Sequence, residues 1–202
     1  MKFSRMMTFI AAMVIAVAIG LTVKTMFFNH NGHGSRTIGV AAIGGPFELV
    51  NHKGEIVQDS EFSGKYLLVM FGFTNCPDVC PTGLQLISEA KELLGSEVKN
   101  VQPLMITVDP ERDTIEVLAD YVSNFHPSVV GLTGTVDQIK AVAGAYKAYF
   151  AKGENDQNGD YFMDHSPFIY LMGPNGQYLD HFAPNTSPEA IATRIKSAIT
   201  ES

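Results

Sequence analysis

Residues 66–81 have the sequence YLLVMFGFTNCPDVCP, and this stretch decides the fold. Residues 66–73 form an uninterrupted apolar run, which is typical of a β-strand buried on both faces. Two cysteines with the spacing Cys-x-x-x-Cys, Cys76 and Cys80, follow the run. Pro81 suits the first position of a helix and disfavours helical backbone at the residue before it, so we expect a helix to begin there. Both cysteines are therefore predicted to lie in the loop between strand and helix.

Outward from this stretch, strand and helix patterns alternate along the chain. Apolar runs bounded by turn residues predict strands, and helical spacing of apolar residues predicts helices between them. The predicted strands are 47–50, 55–57, 66–73, 101–108, 129–132, 168–172 and 177–182, and the predicted helices are 81–94, 114–125, 135–147 and a final helix from residue 187. A βαβαβ unit followed by a ββα unit predicts an α/β thioredoxin-like sandwich, with a central mixed sheet flanked by helices.

The amino-terminal residues differ in kind from the rest. Lys2 and Arg5 precede residues 6–23, an uncharged and almost wholly apolar run that is long enough to cross a bilayer. A cleavable signal peptide is the alternative, because residues 16–18 have a small-x-small pattern, but cleavage there would leave an apolar remnant. We therefore expect an uncleaved transmembrane helix. Positive charges before the run predict a cytoplasmic amino terminus and an exported remainder.

These patterns divide the chain into three parts. The predicted parts are a membrane anchor at residues 1–24, a linker at residues 25–37 rich in Gly and Asn, and a thioredoxin-like domain at residues 38–202. No Arg-rich transit sequence precedes the span, which favours a bacterial inner membrane with the domain in the periplasm. We interpret His30 and His33 as solvated linker residues, because two histidines without further ligands make a weak metal site.

Composition excludes several classes of function. The chain has 202 residues, 46% hydrophobic and 17% charged, a balance typical of one folded domain. Fourteen basic residues against 21 acidic ones give a formal net charge of −7, which argues against a nucleic-acid partner. Two cysteines are too few for a disulfide-dense scaffold, a four-cysteine zinc site or an ordinary iron–sulfur cluster. The cysteines are therefore expected to function as a pair.

The cysteine pair supports more than one kind of chemistry. A sulfur at the amino terminus of a helix is stabilised as the thiolate. Thiolate is the nucleophile of disulfide exchange, and it is also a soft ligand for Cu(I) or Zn. A structural disulfide in an oxidising compartment is a third interpretation. The cysteine loop alone leaves these alternatives open.

A second segment, YFMDHSP, supplies an imidazole just before the strand predicted near the carboxyl end. In a thioredoxin-like arrangement the loop that enters this strand faces the cysteine loop, so we expect His165 to lie towards Cys76 and Cys80. Two sulfurs and one imidazole make a soft ligand set that favours copper over magnesium or calcium. Asp164 either orients this site as a supporting carboxylate or is an ordinary charged loop residue.

A third segment, TVDPERDT at residues 107–114, follows the second central strand. We interpret it as a loop in which Arg112 lies between carboxylates and Thr114 caps the next helix. The functional alternative is a loop that faces a partner or supports the site.

Together, these segments resemble the Sco family, also called SenC or PrrC, of membrane-anchored copper chaperones used in assembling cytochrome c oxidase. The resemblance covers most of residues 40–200 and rests on the motifs GFTNCPDVCP, TVDPERDT and DHS. It implies that Cys76, Cys80 and His165 bind copper, as Cu(I) or Cu(II). It also implies that a donor protein supplies the copper and that the dinuclear copper site of oxidase subunit II, or another copper-receiving protein, accepts it.

Two enzymatic hypotheses compete with this metallochaperone. Pro167 stands where thioredoxin-like proteins carry a cis-proline, although a trans proline is the default, and it brings the motif closer to redox thioredoxins. A thiol-disulfide oxidoreductase that keeps target cysteines reduced is therefore the main alternative, with Cys76 or Cys80 attacking and the other resolving. The segment VCPT also resembles the peroxidatic segment of peroxiredoxins, but it lacks the threonine and proline expected upstream.

Overall fold

The apolar run forms a strand inside a seven-stranded sheet. In the computed structural model, which describes residues 43–154 and 161–201, this strand is Tyr66–Gly72 and all seven of its residues are buried. It pairs in parallel with Val101–Thr107, which pairs in parallel with Val130–Thr133. Burial on both faces explains why no polar residue interrupts the run.

The described residues contain nine strands and four α-helices. The strands are β1 (Glu48–Asn51), β2 (Ile56–Gln58), β3 (Tyr66–Gly72), β4 (Val101–Thr107), β5 (Val130–Thr133), β6 (Phe150–Lys152), β7 (Met163–His165), β8 (Ile169–Met172) and β9 (Tyr178–Phe182). The helices are α1 (Val79–Glu92), α2 (Ile115–Ser123), α3 (Val136–Tyr146) and α4 (Pro188–Thr200). Two 3-10 helices, Asp59–Phe62 and Gly95–Asn100, precede β3 and β4.

One face of the sheet carries α1, α2 and α4. The strand order is β2-β1-β5-β4-β3-β8-β9, so the chain moves in one direction from β3 to β5, and right-handed crossovers place α1 and α2 on the same side. Gly83 of α1 lies against Met70 of β3, and Gly131 of β5 lies against Leu118 of α2. Helix α4 packs beside α1.

The opposite face is covered by α3. The ring of Tyr146 in α3 packs edge-on against Phe71 of β3 and Tyr170 of β8, with centroid distances of 5.4 and 5.6 Å. Phe71 points away from the face of Met70, because side chains alternate along a strand. Helices on both faces of a mixed sheet confirm the predicted α/β sandwich. Strands β6 and β7, which were not predicted, form a separate hairpin.

The start of α1 corrects one prediction. The helix begins at Val79 rather than Pro81, so Cys80 lies in its first turn and not in the preceding loop. Pro81 is tolerated there because backbone N–H groups in the first turn have no acceptor within the helix. The N–H of Cys80 points instead to Cys76 Sγ, 3.4 Å away. This sulfur takes the place of the oxygen that usually caps a helix.

The predicted membrane anchor and linker, with His30 and His33, lie outside the described residues. Within residues 43–154 and 161–201, no helix combines the length and the hydropathy required to cross a membrane.

Candidate metal centre

Three chain segments meet at one edge of the sheet. Strands β3 and β4 are parallel and end together, with Gly72 opposite Thr107, so the residues after both strands leave at the same edge. Strand β8 is antiparallel to β3 and begins at this edge, with Ile169 opposite Met70. The register therefore brings the segment before β8, which contains the histidine, to the segment after β3, which contains the cysteines.

The Cys80 sulfur occupies space that a glycine leaves open. A Cβ atom added at Gly72, the last residue of β3, would lie only 2.7 Å from Cys80 Sγ. Cys80 is fully buried and Cys76 is 8% exposed, and both are free thiols. The close approach of strand and helix thus fixes the depth at which the Cys80 sulfur lies.

Burial determines the protonation of the inner cysteine. Removal from water raises the pKa of the Cys80 thiol well above its usual value, and the smaller opposing effect of the hydrogen bond with the Phe73 backbone does not cancel it. The expectation that the helix amino terminus would hold this sulfur as a thiolate is therefore wrong for Cys80. Without a metal, Cys80 is a thiol, and binding a metal must displace its proton.

His165 faces this thiol. Its Nε2 atom lies 3.2 Å from Cys80 Sγ, and its Nδ1 atom lies 3.2 Å from the Ser166 carbonyl oxygen. Because a carbonyl only accepts hydrogen bonds, Nδ1 carries the proton and Nε2 presents a lone pair to the sulfur. Burial lowers the pKa of His165, which favours the neutral form that binds metals. The ring of Phe73 packs edge-on against the imidazole at 5.7 Å.

The three predicted site residues come together. The ligand atoms of Cys76, Cys80 and His165 all lie within 4.8 Å of one another, and no other group of three such residues does so among residues 43–154 and 161–201. A trigonal ion with metal–ligand bonds of about 2.0–2.3 Å keeps its ligand atoms about 3.5–4.0 Å apart, so the three groups need to close by no more than about 1 Å to hold one ion. Two sulfurs and one imidazole suit a soft ion such as Cu(I). Their role as ligands stays a prediction.

A buried carboxylate supports the cysteine loop, and sequence analysis missed it. Asp113 is 1% exposed and accepts hydrogen bonds from the backbone N–H of Thr74 at 3.1 Å and from the Thr74 and Thr107 hydroxyls. Desolvation raises the pKa of this carboxyl. The bonds tie the residues before Cys76 to the end of β4. Asp113 stands beside a capping threonine in sequence, so only the position of Thr74, 39 residues away, reveals this function.

The third segment also differs from its prediction in the partners of Arg112. Arg112 pairs with Asp109, but its second donor binds the carbonyl oxygen of Tyr161 at 2.9 Å rather than another carboxylate. Asp113 is engaged by the threonines instead. Thr114 caps α2 as predicted, since its hydroxyl accepts from the N–H of Val117 at 3.3 Å.

The structure does not support two features that the sequence suggested beside His165, an orienting carboxylate at Asp164 and a cis peptide bond before Pro167. Asp164 is exposed, and the Ser166 carbonyl, not this carboxylate, lies against Nδ1 of His165. The described residues contain no cis peptide bond, so the bond before Pro167 is trans.

Comparison with known proteins agrees with the resemblance found in the motifs. A profile of the SCO1/SenC family matches residues 35–200. The chain is 44% identical over 162 residues to the human mitochondrial protein SCO1 homolog. The aligned region covers 79% of this chain and 54% of the human protein, so the chain spans about half the length of that relative.

Two solved structures extend the comparison. Bradyrhizobium japonicum ScoI with copper bound is 41% identical with a TM-score of 0.73, covering 78% of this chain and 99% of that one. BsSco, a member of the Sco family of cytochrome c oxidase assembly proteins in which a disulfide switch was identified, is 26% identical with a TM-score of 0.63, covering 80% and 96%. Because the family profile spans most of the chain and near relatives share its sequence and fold, the chain belongs to the SCO1/SenC family.

Proposed function

We propose that this protein is a copper chaperone that binds one copper ion through Cys76, Cys80 and His165. It delivers that ion to the dinuclear copper site of cytochrome c oxidase subunit II and so assists assembly of the oxidase. The observation that carries the proposal is the convergence of two thiols and one imidazole within 4.8 Å at one edge of the sheet. The copper bound by the Bradyrhizobium relative and the oxidase-assembly role of the family of BsSco support it.

The arrangement favours uptake and release in steps. Both cysteines are buried and His165 is only partly so, which makes the imidazole the ligand that an incoming group reaches first. Copper uptake displaces the thiol protons, and release returns them. A cysteine of the target therefore replaces His165 first and the two sulfurs afterwards. The neutral Nε2 lone pair, oriented by the Ser166 carbonyl, is ready to bind without losing a proton.

Thiol-disulfide exchange is the second candidate function. It is favoured by the two free thiols within 4.8 Å of each other and by the disulfide switch of BsSco. In this reaction one thiolate attacks a disulfide of the target and releases one target thiol, and the second cysteine then releases the other, leaving a Cys76–Cys80 disulfide. Burial disfavours ionisation of Cys80, so Cys76 is the better attacking group. The same disulfide would remove both copper-binding sulfurs and gate metal loading.

We also propose that the protein is held in a bacterial inner membrane by residues 1–24. The apolar run and the basic residues before it support a single span with a cytoplasmic amino terminus. The linker at residues 25–37 would then place the domain, residues 38–202, in the periplasm, where it meets a copper donor and its target.

A transfer assay separates the two functions. The reduced chain is loaded with one equivalent of Cu(I) and mixed with the reduced, metal-free copper domain of oxidase subunit II, and the copper bound to each protein is measured after the two are separated. Wild type and a control variant of an exposed histidine, His181→Ala, are expected to transfer copper to the domain, whereas His165→Ala is not. Two results together would replace copper delivery by thiol exchange as the function. His165→Ala would transfer copper normally, and the double variant Cys76→Ser with Cys80→Ser would fail to transfer copper only when the target cysteines are oxidised.

A further inference from the structure

His165 is carried by an element that the main sheet does not hold. Strands β6 and β7 pair only with each other, with His165 opposite Phe150, and they lie outside the seven-stranded sheet. An isolated two-stranded hairpin is marginally stable in water. The distance of 3.2 Å between His165 Nε2 and Cys80 Sγ therefore depends on contacts that the hairpin makes with the rest of the domain.

Two polar contacts of this kind involve Tyr161, which lies just before β7. The Tyr161 hydroxyl donates to Asp109 Oδ1 at 2.8 Å, and its carbonyl oxygen accepts from Arg112 Nη1 at 2.9 Å. The Arg112 guanidinium also stacks on the Tyr161 ring, 3.7 Å from its centroid. Asp109 is buried and pairs with Arg112 Nε, so the three side chains bind one another in a closed set.

The same three residues also contact β6, and they contact the aromatic ring that packs against the His165 imidazole. Lys152 of β6 lies 3.9 Å from the centre of the Tyr161 ring and 3.1 Å from a Glu111 carboxylate oxygen. The Arg112 guanidinium also lies 5.9 Å from the centre of the Phe73 ring, which packs against His165. The loop after β4 thus holds the hairpin directly and borders the histidine through one aromatic ring.

We propose that Asp109, Arg112 and Tyr161 form a latch that fixes His165 at bonding distance from the cysteine sulfurs. They are positioning residues for copper and not ligands. A planar guanidinium suits this function because it pairs with a carboxylate, donates to a carbonyl and stacks on a ring at once, which a lysine ammonium does not do. The proposal rests on the proposed function, since it explains how the imidazole of that copper site is held.

The test compares copper affinity in two backgrounds. Competition with a chromophoric Cu(I) chelator measures the affinity of the reduced full chain for wild type, Arg112→Met and Tyr161→Phe, each with and without His165→Ala. Mutation of residues that support a metal ligand typically lowers metal affinity 10- to 100-fold. We expect Arg112→Met to weaken binding by about that factor and Tyr161→Phe by less, and neither to weaken it further once His165 is alanine. Arg112→Lys is expected not to restore the affinity.

Arg194→Met is the matched control, because Arg194 pairs with Asp180 through Nε at 3.0 Å in a different part of the surface. The latch is overturned if Arg112→Met binds copper as Arg194→Met does, or if its loss of affinity is the same with and without His165. If Arg112→Met fails to fold, Tyr161→Phe decides by the same comparison. Failure of the proposed function is distinct, because wild type would then bind no copper or His165→Ala would leave its affinity unchanged.

Discussion

Replacing Gly72 by alanine is expected to displace a copper-binding sulfur without removing any ligand. Gly72 ends β3, and the space left by its missing side chain is filled by Cys80 Sγ. An alanine Cβ would lie 2.7 Å from this sulfur, whereas ordinary van der Waals contacts begin at 3.4 Å. Either the sulfur must move away, or β3 and α1 must separate.

The size of the effect follows from the packing. Overpacking a close-packed core costs about 1–3 kcal/mol, and the roughly 0.5–1 kcal/mol gained by replacing glycine in a strand offsets only part of that. The net cost is then at most about 2.5 kcal/mol, and because a domain of this size loses about 2–4 °C in melting temperature per kcal/mol, we expect a fall of up to about 10 °C. Copper binding would draw the sulfur back against the new Cβ, so the strain also weakens the affinity, by about 5- to 100-fold.

Thermal melts and Cu(I) competition titrations of the reduced chain measure both effects. Gly144→Ala is the control, because a Cβ at this position in α3 meets no atom within 4 Å. It is expected to stabilise the helix by about 0.5–1 kcal/mol and leave copper affinity unchanged. The reasoning is refuted if Gly72→Ala binds copper as tightly as wild type, or if the two glycine variants have the same stability.

Three further predictions concern stability. Burial lowers the pKa of Lys91 to about 8 in the folded chain. Between about pH 8 and 10.5 the unfolded chain therefore binds more protons than the folded chain, and the free energy of unfolding should rise with pH. Urea titrations over this range should show a rise that is larger by about 2 kcal/mol in wild type than in Lys91→Met. Asp113→Ala leaves the half-buried donors of Thr74 and the buried hydroxyl of Thr107 without an acceptor. It should cost about 3 kcal/mol or more and weaken copper binding, whereas replacing the exposed Asp120 by alanine should change neither stability nor affinity. Thr135→Ala removes the capping bond to Gln138 at the start of α3 and should lower the melting temperature by about 2–4 °C at unchanged copper affinity; no change in melting would contradict the capping function.

Local patterns were sufficient for most of the fold. The apolar run at residues 66–73 predicts β3 because a strand buried on both faces needs apolar side chains at every position. The cap at Thr114 is readable for a similar reason, since its bond to Val117 spans only three residues. The start of α1 was missed because a sulfur, Cys76 Sγ, takes the position of the usual capping oxygen.

The supporting parts of the candidate site depend on contacts between residues distant in sequence. Asp113 meets Thr74 only because β3 and β4 end in register, and a register is a property of the sheet. Strands β6 and β7 are three residues each, too short for an alternating pattern to stand out, yet β7 carries His165. Burial likewise decides the pKa of Cys80, against the direction expected from its place at a helix start.

The most direct test of the central claim is a Cu(I) competition titration of the reduced full chain. It is made on wild type, His165→Ala, His181→Ala and the double variant Cys76→Ser with Cys80→Ser. The account predicts one tightly bound copper per chain, unchanged in His181→Ala, weakened in His165→Ala and lost in the double variant. Copper bound equally well by the double variant, or no copper bound by wild type, would contradict it.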